Sequence, residues 1–163
     1  MKPFNIVEAT TDDDFLAAGS LGVRLVHSHY VLNPSRFTHY DGTDRDYAES
    51  LKQSVESVAT SIVLLAREGA KQHTLGYVFG QVQHPDVGEA PGAFAHLHEL
   101  YVTEDARHRG VGKALIMSFV GRAKACGSDR LVVMVASVNR SAQELFAYAG
   151  FVPTMVEMTC QFG

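Results

Sequence analysis

Cysteine is scarce in this chain of 163 residues, which contains only two. Two cysteines are too few for the disulfide framework of a small secreted domain, and Cys126 and Cys160 do not have the spacing of a metal-binding pair. We therefore expect both residues to be free, buried thiols of a cytoplasmic protein.

Long apolar runs and charge blocks are also missing. No run approaches the length needed to cross a bilayer, and the first residues lack the apolar stretch of a signal peptide. The net charge of −4 argues against a nucleic-acid partner. Because 46% of the residues are hydrophobic and we find no linker or repeat, we expect one domain over residues 1–163, without a membrane partner.

Hydrophobic periodicity predicts a mixed α/β (α+β) fold with helices on both faces of a sheet. The elements follow the order β-α-α-β-β-β-α-β-α-β, and the β-α-β stretch over residues 94–136 favours a right-handed parallel crossover. The predicted strands are Phe4–Ala9, Ile62–Ala66, Leu75–Val82, Phe94–Val102, Leu131–Ala136 and Val152–Cys160, and the predicted helices are Phe15–Val31, Asp46–Val58, Gly110–Cys126 and Asn139–Ala149.

The segment between the fourth strand and the third helix is the most informative one. It reads Arg107-His108-Arg109-Gly110-Val111-Gly112. A strand that turns through glycines into a helix leaves backbone N–H groups unpaired, and the helix dipole makes them suitable for a phosphate or pyrophosphate. A dinucleotide fingerprint would need glycine at Leu115, and no Walker lysine pattern is present. For an isolated pair of glycines, an ordinary tight turn is the alternative.

This segment resembles the acetyl-CoA signature of the GNAT acetyltransferase superfamily. A second segment, Asn139–Phe151, is similar to the family motif N-x-x-A-x-x-L-Y-x-x-x-G-F. The order of elements also matches over nearly the whole chain. The resemblance implies a mixed central sheet of six to seven strands flanked by four helices, and acetyl-CoA as the cosubstrate.

The resemblance also implies where acetyl-CoA binds. The fourth and fifth strands separate at the centre of the sheet and admit the pantetheine arm, which bonds the exposed strand edge. The turn amides hold the pyrophosphate. The cofactor-binding residues implied in this way are Leu100, Tyr101, Val102, Arg107, His108, Arg109, Gly110, Val111, Gly112, Lys113 and Asn139.

The implied reaction is direct transfer of an acetyl group to a primary amine of a small molecule or a protein. Such an amine has a pKa of roughly 10, so a base that removes its proton is useful. We rank His98 first, Glu99 second and His96 third, since a histidine ordinarily has a pKa of roughly 6.5. His98 is equally explained as a hydrogen-bonded strand residue, and for His96 that explanation is preferred. Strict alternation separates His98 from Glu99, unless the bulge common in this family's strand shifts the pattern.

One position departs from the family pattern. Phe146 stands where the second motif normally has a tyrosine that acts as general acid. Tyr148 lies two helical positions on, about 200° around the helix, and faces away. This departure leaves an alternative function, a non-catalytic acyl-CoA-binding module that regulates a partner.

Other features bear on partners. His27 and His29 lie on different faces of a helix, so we assign no metal site. Acidic side chains outnumber basic ones in residues 1–60, which favours a cationic acceptor. Family members are often dimers, so a homodimer is expected, with Met155 and Met158 as core or interface residues.

Overall fold

Capping sequences define the starts of the first two helices. The computed structural model describes residues 3–70, 72–85 and 92–160. Thr11 precedes helix α1 (Asp12–Leu32) and Thr43 precedes helix α2 (Asp44–Ser57). Each threonine hydroxyl accepts a hydrogen bond from the N–H three residues later, where an aspartate carboxylate accepts from the threonine N–H. This capping box satisfies two donors that the helix leaves unpaired.

The order of the first nine predicted elements is confirmed. A short 3-10 turn, Glu104–Ala106, additionally follows the fourth strand. The remaining elements are β1 (Phe4–Glu8), β2 (Ser61–Glu68), β3 (His73–Gln83), β4 (Phe94–Val102), α3 (Val111–Ala125), β5 (Arg130–Val133) and α4 (Arg140–Tyr148).

The strands form one sheet in the order β1-β2-β3-β4-β5. The first three pairings are antiparallel, whereas β4 and β5 are parallel and are joined through α3. A parallel pair needs such a crossover connection, as the sequence predicted. The run Ile62–Ala66 is buried throughout, as expected for a central strand covered on both faces.

The two faces of the sheet have separate hydrophobic cores. On one face, Val78 packs with Leu115 and Phe119 of α3. On the other face, Tyr77 packs with side chains of α1 and α2, among them Phe15 and Leu51. The face covered by α1 and α2 is the one that carries the candidate catalytic groups described below.

The predicted strand Val152–Cys160 is wrong. These residues form no strand, and Met155 and Met158 are each 89% exposed, so neither methionine is a core residue. Alternating apolar residues form a strand only with a hydrogen-bonded neighbour, and this segment has none among the described residues; Pro153 also lacks an N–H. The described sheet therefore has five strands, not six to seven.

The cysteines are free, but the prediction that they are buried is also wrong. Both Cys126 and Cys160 are exposed. Cys126 is the C-cap residue of α3, beyond the last buried turn of that helix, and Cys160 belongs to the exposed segment after α4. In the three described ranges, no helix combines the length and apolarity needed to cross a membrane.

Candidate active site

The sheet opens between β4 and β5. These strands pair from Phe94 to Leu97 and from Arg130 to Val133, where β5 ends. Strand β4 continues to Val102, paired along its other edge with β3. The edge of Leu100, Tyr101 and Val102 that faces away from β3 therefore has no strand beside it in the described part of the chain. All four residues of β5 are paired, so the edge of β4 becomes free because β5 ends and not because two strands diverge, as the sequence had predicted. An extended, amide-rich ligand can pair with such an edge.

The backbone of the glycine turn enters the left-handed region at two residues. His108 and Gly110 have φ angles of 59° and 81°, in the left-handed region. Gly110 is the N-cap of α3, which has no side-chain cap. The first N–H groups of α3 therefore lack a partner within the helix, and the helix dipole adds positive potential there. This backbone arrangement fits a diphosphate group.

Gly112 has a different role, in packing. A Cβ atom at Gly112 would lie 3.1 Å from Cδ2 of Leu145, so the glycine allows α4 to approach the first turn of α3. Asn139 caps α4, and its Oδ1 accepts a hydrogen bond of 3.1 Å from the N–H of Ala142. The side-chain amide of Asn139 keeps N–H donors for another acceptor.

The basic side chains at the turn have protein partners. The guanidinium of Arg109 pairs with the carboxylate of Glu68 on β2. Nε of Arg107 donates to the Val102 carbonyl oxygen at 3.3 Å, and Nζ of Lys113 lies 4.4 Å from the centre of the Tyr148 ring. The turn therefore offers an anion mainly its backbone donors, because its basic side chains already have protein partners.

A bulge in β4 rearranges the candidate bases. Phe79 is paired with Glu99 and Gly80 with Leu97, so His98 has no partner on β3. Leu97 packs in the α3 core, whereas Glu99 faces the α1–α2 side, where it contacts Tyr47 and Tyr77. The His98 ring lies 5.4 Å from that of Phe79, which also belongs to the α1–α2 core. The bulge thus places His98 and Glu99 on the same side of the sheet, where strict alternation would have separated them.

Glu99 is a largely buried carboxylate held by two phenols. The hydroxyl of Tyr47 donates to Oε1 at 2.7 Å, and the hydroxyl of Tyr77 donates to Oε2 at 2.6 Å. Burial raises the pKa of Glu99, and the two hydrogen bonds partly oppose that rise. The same burial raises the pKa values of Tyr47 and Tyr77, so both phenols remain donors.

The pKa values of the two histidines of β4 are shifted in the opposite direction to that of Glu99. Desolvation, with a smaller contribution from the neighbouring His96, lowers the pKa of His98 to about 4. Burial also lowers the pKa of His96, whose ring centre is 4.4 Å from that of His98. Both are neutral at pH 7. The environment therefore makes His98 a weaker base than a free histidine and Glu99 a stronger base than a free glutamate.

A cleft of about 390 Å³ lies beside this end of β4. Arg24 and His27 of α1 form one wall, and Tyr40 of the loop at 33–43 forms another. Tyr101 lines the cleft on the β4 side. The Tyr40 ring packs edge-on against Tyr47, with centres 5.4 Å apart, and thereby links the cleft to the residue that binds Glu99.

Sequence reasoning missed Tyr47 and Tyr77. Tyr47 shares the apolar face of α2 with Leu51 and Val55, and Tyr77 lies in an alternating strand, so both have the pattern of core residues. No local signal distinguishes them, because their partner Glu99 is 52 and 22 positions away in the chain.

Phe146 is buried, with 6% exposure, and its ring packs against Phe151 at 5.2 Å. Tyr148 is 73% exposed and lies against Lys113, as expected for a residue on the other side of α4. Tyr148 therefore does not take the place of the motif's missing tyrosine.

The free edge of β4 and the uncapped start of α3 suit a ligand with an amide-rich arm and a diphosphate, and comparison with known proteins identifies the family of the chain. The model of the acetyltransferase (GNAT) family matches residues 26–151. The chain belongs to this family, whose members transfer acetyl groups from acetyl-CoA. No curated protein matches the chain significantly.

Solved structures share the fold. A mutant of the BH1408 protein from Bacillus halodurans has a TM-score of 0.82 at 17% identity, covering 97% of this chain and 99% of that chain. Glucosamine-6-phosphate N-acetyltransferase from Arabidopsis thaliana has a TM-score of 0.68 at 12% identity, covering 99% and 100%. AAC(6′)-Iy, in complex with the bisubstrate analogue CoA-S-monomethyl-acetylneamine, has a TM-score of 0.72 at 17% identity, covering 99% of each chain.

Proposed function

We propose that this acetyltransferase moves the acetyl group of acetyl-CoA directly onto a primary amine of a small molecule or a protein, and that residues 1–163 are one catalytic domain. The observation that carries the proposal is the position of Glu99, a carboxylate on β4 just beyond the point where β5 leaves the sheet. Two structural neighbours support an amine acceptor by their names, one as an N-acetyltransferase and one through its bisubstrate analogue.

Acetyl-CoA would be held mainly by the backbone. The edge of Leu100, Tyr101 and Val102 that faces away from β3 suits the amides of the pantetheine arm, although the Val102 carbonyl oxygen already accepts from Arg107. An N–H of this edge would stabilise the negative charge that develops on the thioester oxygen. The amides of residues 108–113 would bind the diphosphate, and Asn139 would contact the arm from the side of α4.

Glu99 would be the base that takes the proton from the attacking ammonium, directly or through one water molecule. A base acts best when its pKa is close to the working pH. Burial moves the pKa of Glu99 toward neutrality, whereas desolvation and the neighbouring His96 move that of His98 away from it, to about 4. We therefore place Glu99 ahead of His98, and keep His98 as the second candidate because the bulge brings it to the same side.

Two further parts of the proposal concern the cellular compartment and the oligomeric state. The free cysteines support a reducing compartment, in keeping with a cytoplasmic enzyme. The exposed apolar side chains after α4, such as Met155 and Met158, support a homodimer, which sedimentation of the full chain would test.

An acceptor screen tests the activity. The protein is incubated with acetyl-CoA and a panel of polyamines, amino sugars and lysine peptides, and the products are detected by mass. We expect one or more amines to gain a single acetyl group, with release of one equivalent of CoA. Tight acetyl-CoA binding without any acetylated product would support a non-catalytic binding module instead.

A further inference from the structure

Both oxygens of the Glu99 carboxylate are engaged, by donors from two different elements. Tyr47 belongs to α2 and Tyr77 to β3, and their hydroxyl oxygens lie 2.7 Å and 2.6 Å from Oε1 and Oε2. A carboxylate can accept about four hydrogen bonds. The arrangement therefore fixes the orientation of the group and still leaves lone pairs for a water molecule or an amine.

The two phenols are the groups that stabilise the charge on Glu99. In the described ranges, no lysine or arginine forms an ion pair with Glu99, and the other titratable side chains near it on β4 are His96 and His98. Those histidines are neutral at pH 7 because burial lowers their pKa values. Arg24 and His27 of α1 line the cleft, and Glu99 is not among its lining residues.

Tyr47 is fixed tightly by its surroundings. A Cβ atom at Gly22 of α1 would come within 2.2 Å of the Tyr47 ring, so the ring occupies the space that this glycine leaves open. The Tyr40 ring packs edge-on against it, and the capping box of Thr43 and Asp46 fixes the start of α2 just before it. The position of the Tyr47 hydroxyl thus depends on the loop at 33–43.

A merely structural role would not need a carboxylate at this position. Two buried phenols require an acceptor, and a neutral amide would supply one without the cost of burying a charge. Glu99 carries that cost at the point where β4 loses its neighbour β5, beside the opening for acetyl-CoA. This location gives an ionised carboxylate a chemical use.

We propose that Tyr47 and Tyr77 are positioning residues, which keep the Glu99 carboxylate ionised and oriented for proton transfer, and that Tyr47 connects this carboxylate to the loop at 33–43. The inference rests on the proposed function, in which Glu99 is the base. In this proposal neither tyrosine contacts the amine or the acetyl group. Each acts through its hydrogen bond to Glu99.

Conservative substitutions test this inference through the pH profile. Tyr47→Phe and Tyr77→Phe each remove one hydrogen bond that favours the charged carboxylate, so the pKa of Glu99 rises. The base is active when deprotonated, so the acidic limb of kcat/KM moves to higher pH and the rate at neutral pH falls roughly tenfold. The KM for acetyl-CoA stays close to that of the wild type. Tyr148→Phe, on the exposed face of α4, is the matched control and leaves the limb in place.

A direct titration separates this inference from the proposed function. Carbon-13 NMR of the Glu99 carboxyl, assigned with Glu99→Gln, measures its pKa without any turnover. We expect the pKa to rise in both tyrosine variants. Unchanged pKa values in two folded variants would overturn the positioning role even if amines are acetylated. If the pKa of Glu99 rises in these variants but the protein acetylates no amine, the effect of the tyrosines on Glu99 is confirmed and only the proposed function is contradicted.

Discussion

The guanidinium of Arg109 points to β2, where it pairs with the carboxylate of Glu68. The side chains are 22% and 14% exposed, so the pair is largely shielded from solvent. Arg109 belongs to the glycine turn, and its charge has the sign that a phosphate requires. Its pairing with Glu68 leaves the backbone amides of residues 108–113 as the main donors of the turn.

Arg109→Gln is therefore expected to change stability more than cofactor affinity. Loss of one partner of a shielded ion pair leaves the other charge unpaired, and we expect a loss of about 1–3 kcal/mol in the free energy of unfolding. The Kd for acetyl-CoA, from calorimetry, should rise less than about fivefold. Glu68→Gln serves as the control. The double variant should lose less free energy of unfolding than the sum of the losses in the two single variants. A Kd raised a hundredfold would show that Arg109 binds the cofactor through its side chain.

The same substitution at two glycines of this region should have opposite effects. Gly110→Ala places a Cβ on a residue with φ of 81°, which we expect to cost about 1–2 kcal/mol and to weaken acetyl-CoA binding. Gly121→Ala, inside α3, meets no atom within 4 Å and should stabilise the protein by about 0.5–1 kcal/mol. Thermal unfolding with and without acetyl-CoA measures both. Equal effects at the two positions would show that the left-handed turn is not required.

The fold was predictable where local chemistry determines it. The three acids before Phe15 mark the first turn of α1, and the sequence between Phe94 and Val133 forms the predicted crossover from β4 through α3 to β5. The segment Val152–Cys160 was not predictable in this way, because alternation describes which faces are apolar and does not supply a neighbouring strand.

The candidate site was predictable in its backbone and not in its side-chain network. The two glycines between a strand and a helix, taken together with the second motif at Asn139–Phe151, were enough to predict an anion site, since the donors are main-chain groups. The environment of Glu99 arises from Tyr47 and Tyr77, which only tertiary packing brings together. The order of basicity of Glu99 and His98 depends on that packing. The ranking from the sequence used ordinary pKa values and therefore placed His98 ahead of Glu99.

The acidic limb of the pH profile should identify the base. His98→Asn is expected to lower kcat/KM less than tenfold and to leave the limb in place, because a base with a pKa of about 4 would produce a limb well below neutrality. Glu99→Gln should lower kcat about 10²–10⁴-fold and abolish the limb. Steady-state rates with the amine found in the screen measure both. If His98→Asn removes the limb and Glu99→Gln does not, the two assignments must be exchanged.

Glu99→Gln should also stabilise the protein at neutral pH while it lowers activity. Burial raises the pKa of Glu99 in the folded chain above its unfolded value, so the folded state binds the proton more tightly. The contribution to stability is therefore fully present below the unfolded pKa and is lost as the pH rises through the folded pKa. At pH 7 the wild type carries a buried charge that glutamine lacks, although glutamine can still accept a hydrogen bond from one phenol.

We expect the Tm of Glu99→Gln to exceed that of the wild type at pH 7 and the difference to shrink toward about pH 4, the ordinary range of a glutamate pKa. His98→Asn is the control, because its shift has the opposite sign and adds no stability at pH 7. A Glu99→Gln variant that is less stable than the wild type at neutral pH would mean that the phenols over-compensate the burial of the charge.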